Sequence, residues 1–116
     1  MRIQVYTSRG CTHDKQVRDI INEAVSASGD DIQVETLNVA DYDQAKAVRC
    51  FGAPTVRVDG VDIEYGDREP LEYTNGCRYY NTPDGWNPFP DKQLLLGAIK
   101  RARARSLSSY RAAPPS

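Results

Sequence analysis

The chain is short of the residue types that build metal centres and disulfide frameworks: among 116 residues it has one histidine and three cysteines. One imidazole and three scattered thiols make no spaced set of four ligands, so no structural metal site is expected. An odd number of cysteines, with no apolar leader ahead of them, argues for reduced thiols rather than the disulfide framework of a secreted protein. No stretch approaches the roughly 18 apolar residues of a membrane span, and the N-terminus runs directly into Arg2-Ile3-Gln4-Val5-Tyr6. These absences predict a cytoplasmic protein without membrane contact. A surplus of one charge is missing too. With 15 Lys and Arg against 16 Asp and Glu the net charge is −1, and no overall field favours nucleic acid as a partner.

What is present is ordinary for one soluble domain: 40% hydrophobic and 27% charged residues, with a single core and a monomeric state expected. The charges are unevenly spread. Asp59 to Glu72 holds six acids and only Arg68 as a base, whereas the chain from Lys100 onward carries five bases and no acid. Runs of this kind are expected to be solvated surface, giving one acidic and one basic pole.

Along the chain, Ile3 and Val5 alternate with polar neighbours ahead of Thr7-Ser8-Arg9-Gly10, which predicts a strand ending in a turn just before Cys11. A helix is predicted to start there. Val17, Ile20, Ile21, Ala24 and Ser28 recur at helical spacing, Asp14 falls in the first turn, and Gly29 supplies a stop. Ile32, Val34 and Leu37 suggest a second strand. Asp41 can cap a short helix through Ala45, Val48 and Phe51 that ends at Gly52. Val56 and Val58, then Asp59-Gly60, then Val61, Ile63 and Tyr65 describe two strands joined by a tight turn.

Residues 66–90 form a long connection rich in proline that also holds Tyr73, Tyr79, Tyr80, Trp86 and Phe89. So aromatic a segment is expected to fold as a flap, with Tyr79, Tyr80 and Trp86 either walling a substrate groove or holding the flap down. Asp91 opens a last helix with Leu95, Ala98, Ile99 and Ala102 as its apolar stripe, and 106–116 is expected to be a disordered tail. The predicted fold class is α/β, in the order β-α-β-α-β-β-α, a four-stranded mixed sheet flanked by helices over residues 1–105 with 66–90 as an insertion.

Cys11 carries the chemistry. At the first turn of a helix, free backbone N–H groups and the positive end of the dipole favour thiolate over thiol, which makes it a candidate nucleophile with Thr12 and His13 beside it. His13 could lower the thiol pKa, but the same dipole disfavours its charged form, and the alternative is a solvated side chain. Asp14 either caps the helix amides or accepts a proton. Its negative charge, if close, raises the Cys11 pKa and opposes the helix. Cys50, next to Phe51, is expected in the core.

Three stretches occur together: Ser8-Arg9-Gly10-Cys11 before the first helix, Pro54-Thr55-Val56-Arg57-Val58-Asp59-Gly60 at the hairpin, and Cys77-Arg78-Tyr79-Tyr80 ahead of the last helix. In this order, over about residues 3–105, the chain resembles the thioredoxin/glutaredoxin superfamily, and more narrowly a group of small bacterial thioredoxin-family proteins. The resemblance implies a cis proline at Pro54 beside the attacking Cys11, with the Ala53 backbone and Thr55 turned toward a peptide or glutathione that adds as a strand. The chain departs from the superfamily where a second cysteine usually stands, at Asp14. Cys77, in the segment shared with the narrower group, is the candidate resolving thiol, and otherwise a packed residue.

What the resemblance implies is a thiol–disulfide oxidoreductase acting through Cys11 on a protein disulfide or a glutathione mixed disulfide, with glutathione as a co-substrate and no other cofactor. Two alternatives stay open: a non-catalytic binding or adaptor module, and soft-metal or metalloid capture by Cys11 and Cys77.

Overall fold

The computed structural model describes residues 1–9, 13–29, 31–70 and 72–112, the last six of them by backbone alone. The chain forms an α/β fold with three helices and a mixed four-stranded sheet. In order, the elements are β1 (Arg2–Thr7), α1 (Asp14–Ser28), β2 (Gln33–Asn38), α2 (Tyr42–Val48), β3 (Phe51–Ala53), β4 (Thr55–Val58), β5 (Val61–Asp62), β6 (Thr74–Cys77), β7 (Tyr80–Thr82), β8 (Gly85–Asn87) and α3 (Lys92–Ala112).

The main sheet runs β2-β1-β4-β5. β1 and β2 are parallel across the α1 crossover, and the other two pairings are antiparallel. Alternation along β1 sends Ile3 and Val5 to a core shared with Val17, Ile21 and Ala24 of α1 and Leu95, Ile99 and Ala102 of α3. Each fully buried Ile or Leu there contributes about 1.5–3 kcal/mol. Tyr6 points the other way, into a smaller cluster with Val39, Ala45 and Cys50 beneath α2.

Several boundaries differ from the sequence prediction, each for a local reason. α1 runs Asp14–Ser28, with His13 at the N-cap position making no side-chain capping bond, and it ends on Gly29 in the left-handed region; the expected start at Cys11 lies outside the described residues. β2 is an exposed edge strand along its whole length, Val34 and Leu37 included. α2 does begin on Asp41, whose Oδ1 accepts from the Gln44 N–H at 2.8 Å while Gln44 Oε1 accepts from the Ala40 N–H at 2.9 Å. It stops at Arg49, which takes a left-handed conformation, so Phe51–Ala53 is a strand and not the last turn of the helix.

The hairpin turns through Asp59 and Gly60, both at positive φ, as a two-residue connection requires. Its second strand stops at Asp62 and does not reach Tyr65. Asp62 Oδ1 accepts from the N–H groups of Glu64 and Tyr65 at 2.9 and 3.0 Å, which curls the chain out of the ladder. The connection after residue 66 is indeed folded, and it adds three short strands: β6 pairs in parallel with β3, and β7 with β8 as a hairpin. α3 continues past Ser106 to Ala112, through the start of the segment predicted to be a disordered tail. Alanine, arginine and serine there interrupt nothing, and the first proline is Pro114.

Candidate functional site

The candidate site centres on the turn between β3 and β4, where the Ala53–Pro54 peptide bond is cis, as the resemblance implies. Thr55 holds this turn from within. Its hydroxyl accepts from the Phe51 N–H at 3.0 Å and donates to the Gly52 carbonyl at 2.6 Å, with no part of the side chain exposed. Gly52 has φ of +102°, and a Cβ there would sit 2.9 Å from Cβ of Arg78. Only glycine satisfies both the conformation and the close approach.

That approach exists because β6 lies along β3. Ala53 is in register with Cys77, the Arg78 N–H donates to the Ala53 carbonyl at 2.9 Å, and the Thr74 N–H donates to the Cys50 carbonyl at 2.9 Å. The edge that an incoming peptide or glutathione was expected to use is therefore occupied by the chain's own flap. Ala53, Pro54 and Thr55 are all buried.

Two arginines fasten the flap. Arg78 forks onto Asp62, with Nη1 at 2.7 Å from Oδ2 and Nη2 at 2.8 Å from Oδ1. Its guanidinium lies 4.5 Å from the Tyr65 ring centre and 4.2 Å from that of Tyr80. Both charged side chains are buried, Arg78 at 2% and Asp62 at 0% exposure. Burial alone pushes the Asp62 carboxyl up, but the Arg78 hydrogen bonds and charge, with the amides of Tyr65 and Glu64, outweigh it and hold it below the usual carboxylate range. Burial likewise opposes the Arg78 charge, and its bond to Asp62 overrides that and keeps it firmly protonated. Among the described residues, Arg78 Nε is the buried side-chain polar atom left without a hydrogen-bond partner.

Arg57 forms the second anchor. It lies between the rings of Tyr6 and Phe51, pairs through Nε with Glu69 at 3.2 Å, and donates from Nη2 to the Arg49 carbonyl at 2.5 Å. Arg49 also pairs with Glu69. A cation at the C-terminal end of α2 meets the negative end of its dipole. The acidic run of residues 59–72 is thus not simply solvated surface: Asp62 and Glu69 are the buried or nearly buried partners of these two arginines. Sequence reasoning missed both pairs. The signal available was an arginine between Val56 and Val58, flanked downstream by six acids.

The flap aromatics divide. Tyr80 is wholly buried and Tyr73 stacks on Phe51 with ring centres 5.6 Å apart, so these hold the flap down. Tyr79 and Trp86 are exposed on its outer side. Phe89, at the end of the flap, meets the His13 ring at 6.1 Å. His13 is half-buried and Asp14 is exposed. Asp14 also borders a groove of about 160 Å³ with Thr7, Val17, Arg18 and Thr36, between α1 and the β1–β2 edge.

Cys11 and Thr12 lie outside the described residues. The other two cysteines are in contrasting states, and one of them departs from the expectation of reduced thiols. Cys50 is free and wholly buried, 3.7 Å from the Thr55 hydroxyl. Cys77 is exposed at the end of β6 and is disulfide-bonded. Among the described residues no three His, Cys, Asp or Glu side chains gather as a metal site would require, and no helix is long and apolar enough to cross a membrane. Comparison with family models, with curated proteins and with solved structures finds no significant match.

Proposed function

We propose that this is a thioredoxin-like thiol protein in which Cys11 and Cys77 pass between dithiol and disulfide by thiol–disulfide exchange with a protein or glutathione-type partner. The observation that carries this is the state of Cys77: it is disulfide-bonded, in register with Ala53 ahead of Pro54, while Cys50 is free and buried. The chain has three cysteines, so Cys11 is the partner available within it. The order β2-β1-β4-β5, with one parallel and two antiparallel pairings, fits the thioredoxin-like expectation.

In the proposed reaction the Cys11 thiolate attacks one sulfur of the partner disulfide, forming a mixed disulfide and releasing a partner thiolate that takes up a proton. The Cys77 thiolate then attacks Cys11 Sγ and displaces the second partner thiol. The partner gains two electrons and two protons, and the chain passes from dithiol to disulfide. Occupation of the β3 edge by β6 favours this internal resolution over strand pairing of glutathione at Ala53.

Thiol trapping and peptide mapping test the assignment. Oxidised protein should yield a Cys11–Cys77 linked peptide that opens and closes with the ratio of reduced to oxidised glutathione, and Cys77→Ser should accumulate a mixed disulfide at Cys11. A Cys77 disulfide that stays closed in the folded protein under reducing glutathione would be a staple of the flap, leaving a binding module without turnover.

A further inference from the structure

We infer that the Arg78–Asp62 ion pair is the positioning element of the thiol site, fixing the strand that carries Cys77 so that its disulfide closes with little loss of conformational freedom. The inference rests on the thiol-exchange function proposed above. Arg78 directly follows Cys77 and is fixed at both main chain and side chain. Its N–H is bonded to the Ala53 carbonyl at 2.9 Å, its guanidinium forks onto Asp62 at 2.7 and 2.8 Å, and its Cβ packs where Gly52 has none.

Asp62 is fixed in turn. Its Oδ1 also accepts the Glu64 and Tyr65 amides, and the two rings of Tyr65 and Tyr80 flank the guanidinium. Gly76 and Cys77, just before Arg78, are exposed, whereas Arg78 is buried.

A buried ion pair is seldom more stabilising than apolar side chains of the same volume, but a bidentate arginine–carboxylate fork fixes orientation as apolar contacts do not. That distinction matters for a thiol pair. Two thiols held in bonding geometry close a disulfide with a high effective concentration, and slack in either strand lowers it. Arg57–Glu69 supplies an internal control. Its arginine is buried and its carboxylate nearly so, with side chains 5% and 13% exposed, yet neither residue adjoins a cysteine.

The test is the equilibrium constant of the full chain with reduced and oxidised glutathione, read by acid quench, alkylation and intact mass, with folding checked by circular dichroism in both redox states. Stability lost equally from dithiol and disulfide forms cancels in this constant, so a purely structural role leaves it unchanged. Asp62→Asn, and the double variant Asp62→Leu with Arg78→Met, should each lower it by about tenfold or more, or about 30 mV for a two-electron couple. Glu69→Gln should move it by less than about twofold. A smaller drop in the first two, or an equal one in Glu69→Gln, overturns the positioning role. If Asp62→Asn does not fold, the double variant decides, because apolar packing replaces both ions. A wild-type disulfide indifferent to glutathione overturns the thiol-exchange function itself, whereas a responsive wild type with equally responsive variants overturns only the inference.

Discussion

The hydroxyl of Tyr80 donates to the carbonyl oxygen of Pro54 at 2.6 Å, with neither residue exposed to solvent. The contact joins the flap to the β3–β4 turn of the candidate site, across 26 positions of sequence. Burial, with the nearby carboxylates of Asp62 and Glu64, pushes the phenol far above its ordinary range despite the opposing Arg78 charge, so it stays a donor at any working pH. Tyr80→Phe keeps the ring over the Arg78 guanidinium and leaves the Pro54 carbonyl without this donor. The expected cost is about 1–2 kcal/mol, measured by urea unfolding, with the far-UV spectrum unchanged.

The Arg78–Asp62 pair should dominate the acid limb of stability. Because the folded Asp62 carboxyl lies below its unfolded value of about 3.9, its contribution is fully present above that value and is lost as pH falls through the folded one. Urea unfolding of the wild type should therefore weaken progressively below about pH 4. Asp62→Asn leaves the arginine charge buried without its counter-ion, and should be destabilised by roughly 3–5 kcal/mol at neutral pH. Its deficit relative to wild type should shrink on acidification. A deficit constant from neutral to acid pH would show that Asp62 is not the group that titrates.

Gly52 and Gly29 separate conformation from space. Both have positive φ, but a Cβ at Gly29 meets nothing within 4 Å while one at Gly52 meets Arg78 Cβ at 2.9 Å. Gly29→Ala should cost about 1 kcal/mol. Gly52→Ala should cost on the order of 3 kcal/mol, because backbone strain and displacement of β6 add. Equal losses in the two variants would mean that β6 yields without cost.

What the sequence made legible was mostly local. Ile3 and Val5, the helical spacing of Val17, Ile21 and Ala24, the Asp41 cap and the Asp59-Gly60 turn all follow from short-range pattern, and each is found. The end of α2 is not legible because Phe51 continues a helical spacing, whereas its N–H is claimed by Thr55 four residues on. β6 was invisible. Thr74-Asn75-Gly76-Cys77 has no alternation and little strand propensity, and it is a strand only because β3 offers an edge. Likewise Asp62 and Arg78 are 16 positions apart and give no periodic signal, so their pairing depends on tertiary structure.

Thr55 gives the sharpest separation between a binding role and a structural one. Its place after Pro54 suggested contact with substrate, yet its hydroxyl is spent on the Phe51 N–H and the Gly52 carbonyl and none of it is exposed. Thr55→Val preserves the shape and removes both bonds, stranding two buried backbone groups. The expected loss is about 2–4 kcal/mol in urea unfolding, with the midpoint of the glutathione equilibrium unchanged under conditions where the variant is folded. A variant with wild-type stability but weakened capture of a disulfide partner would instead return Thr55 to the binding surface, and would require the β3–β4 turn to open when the partner arrives.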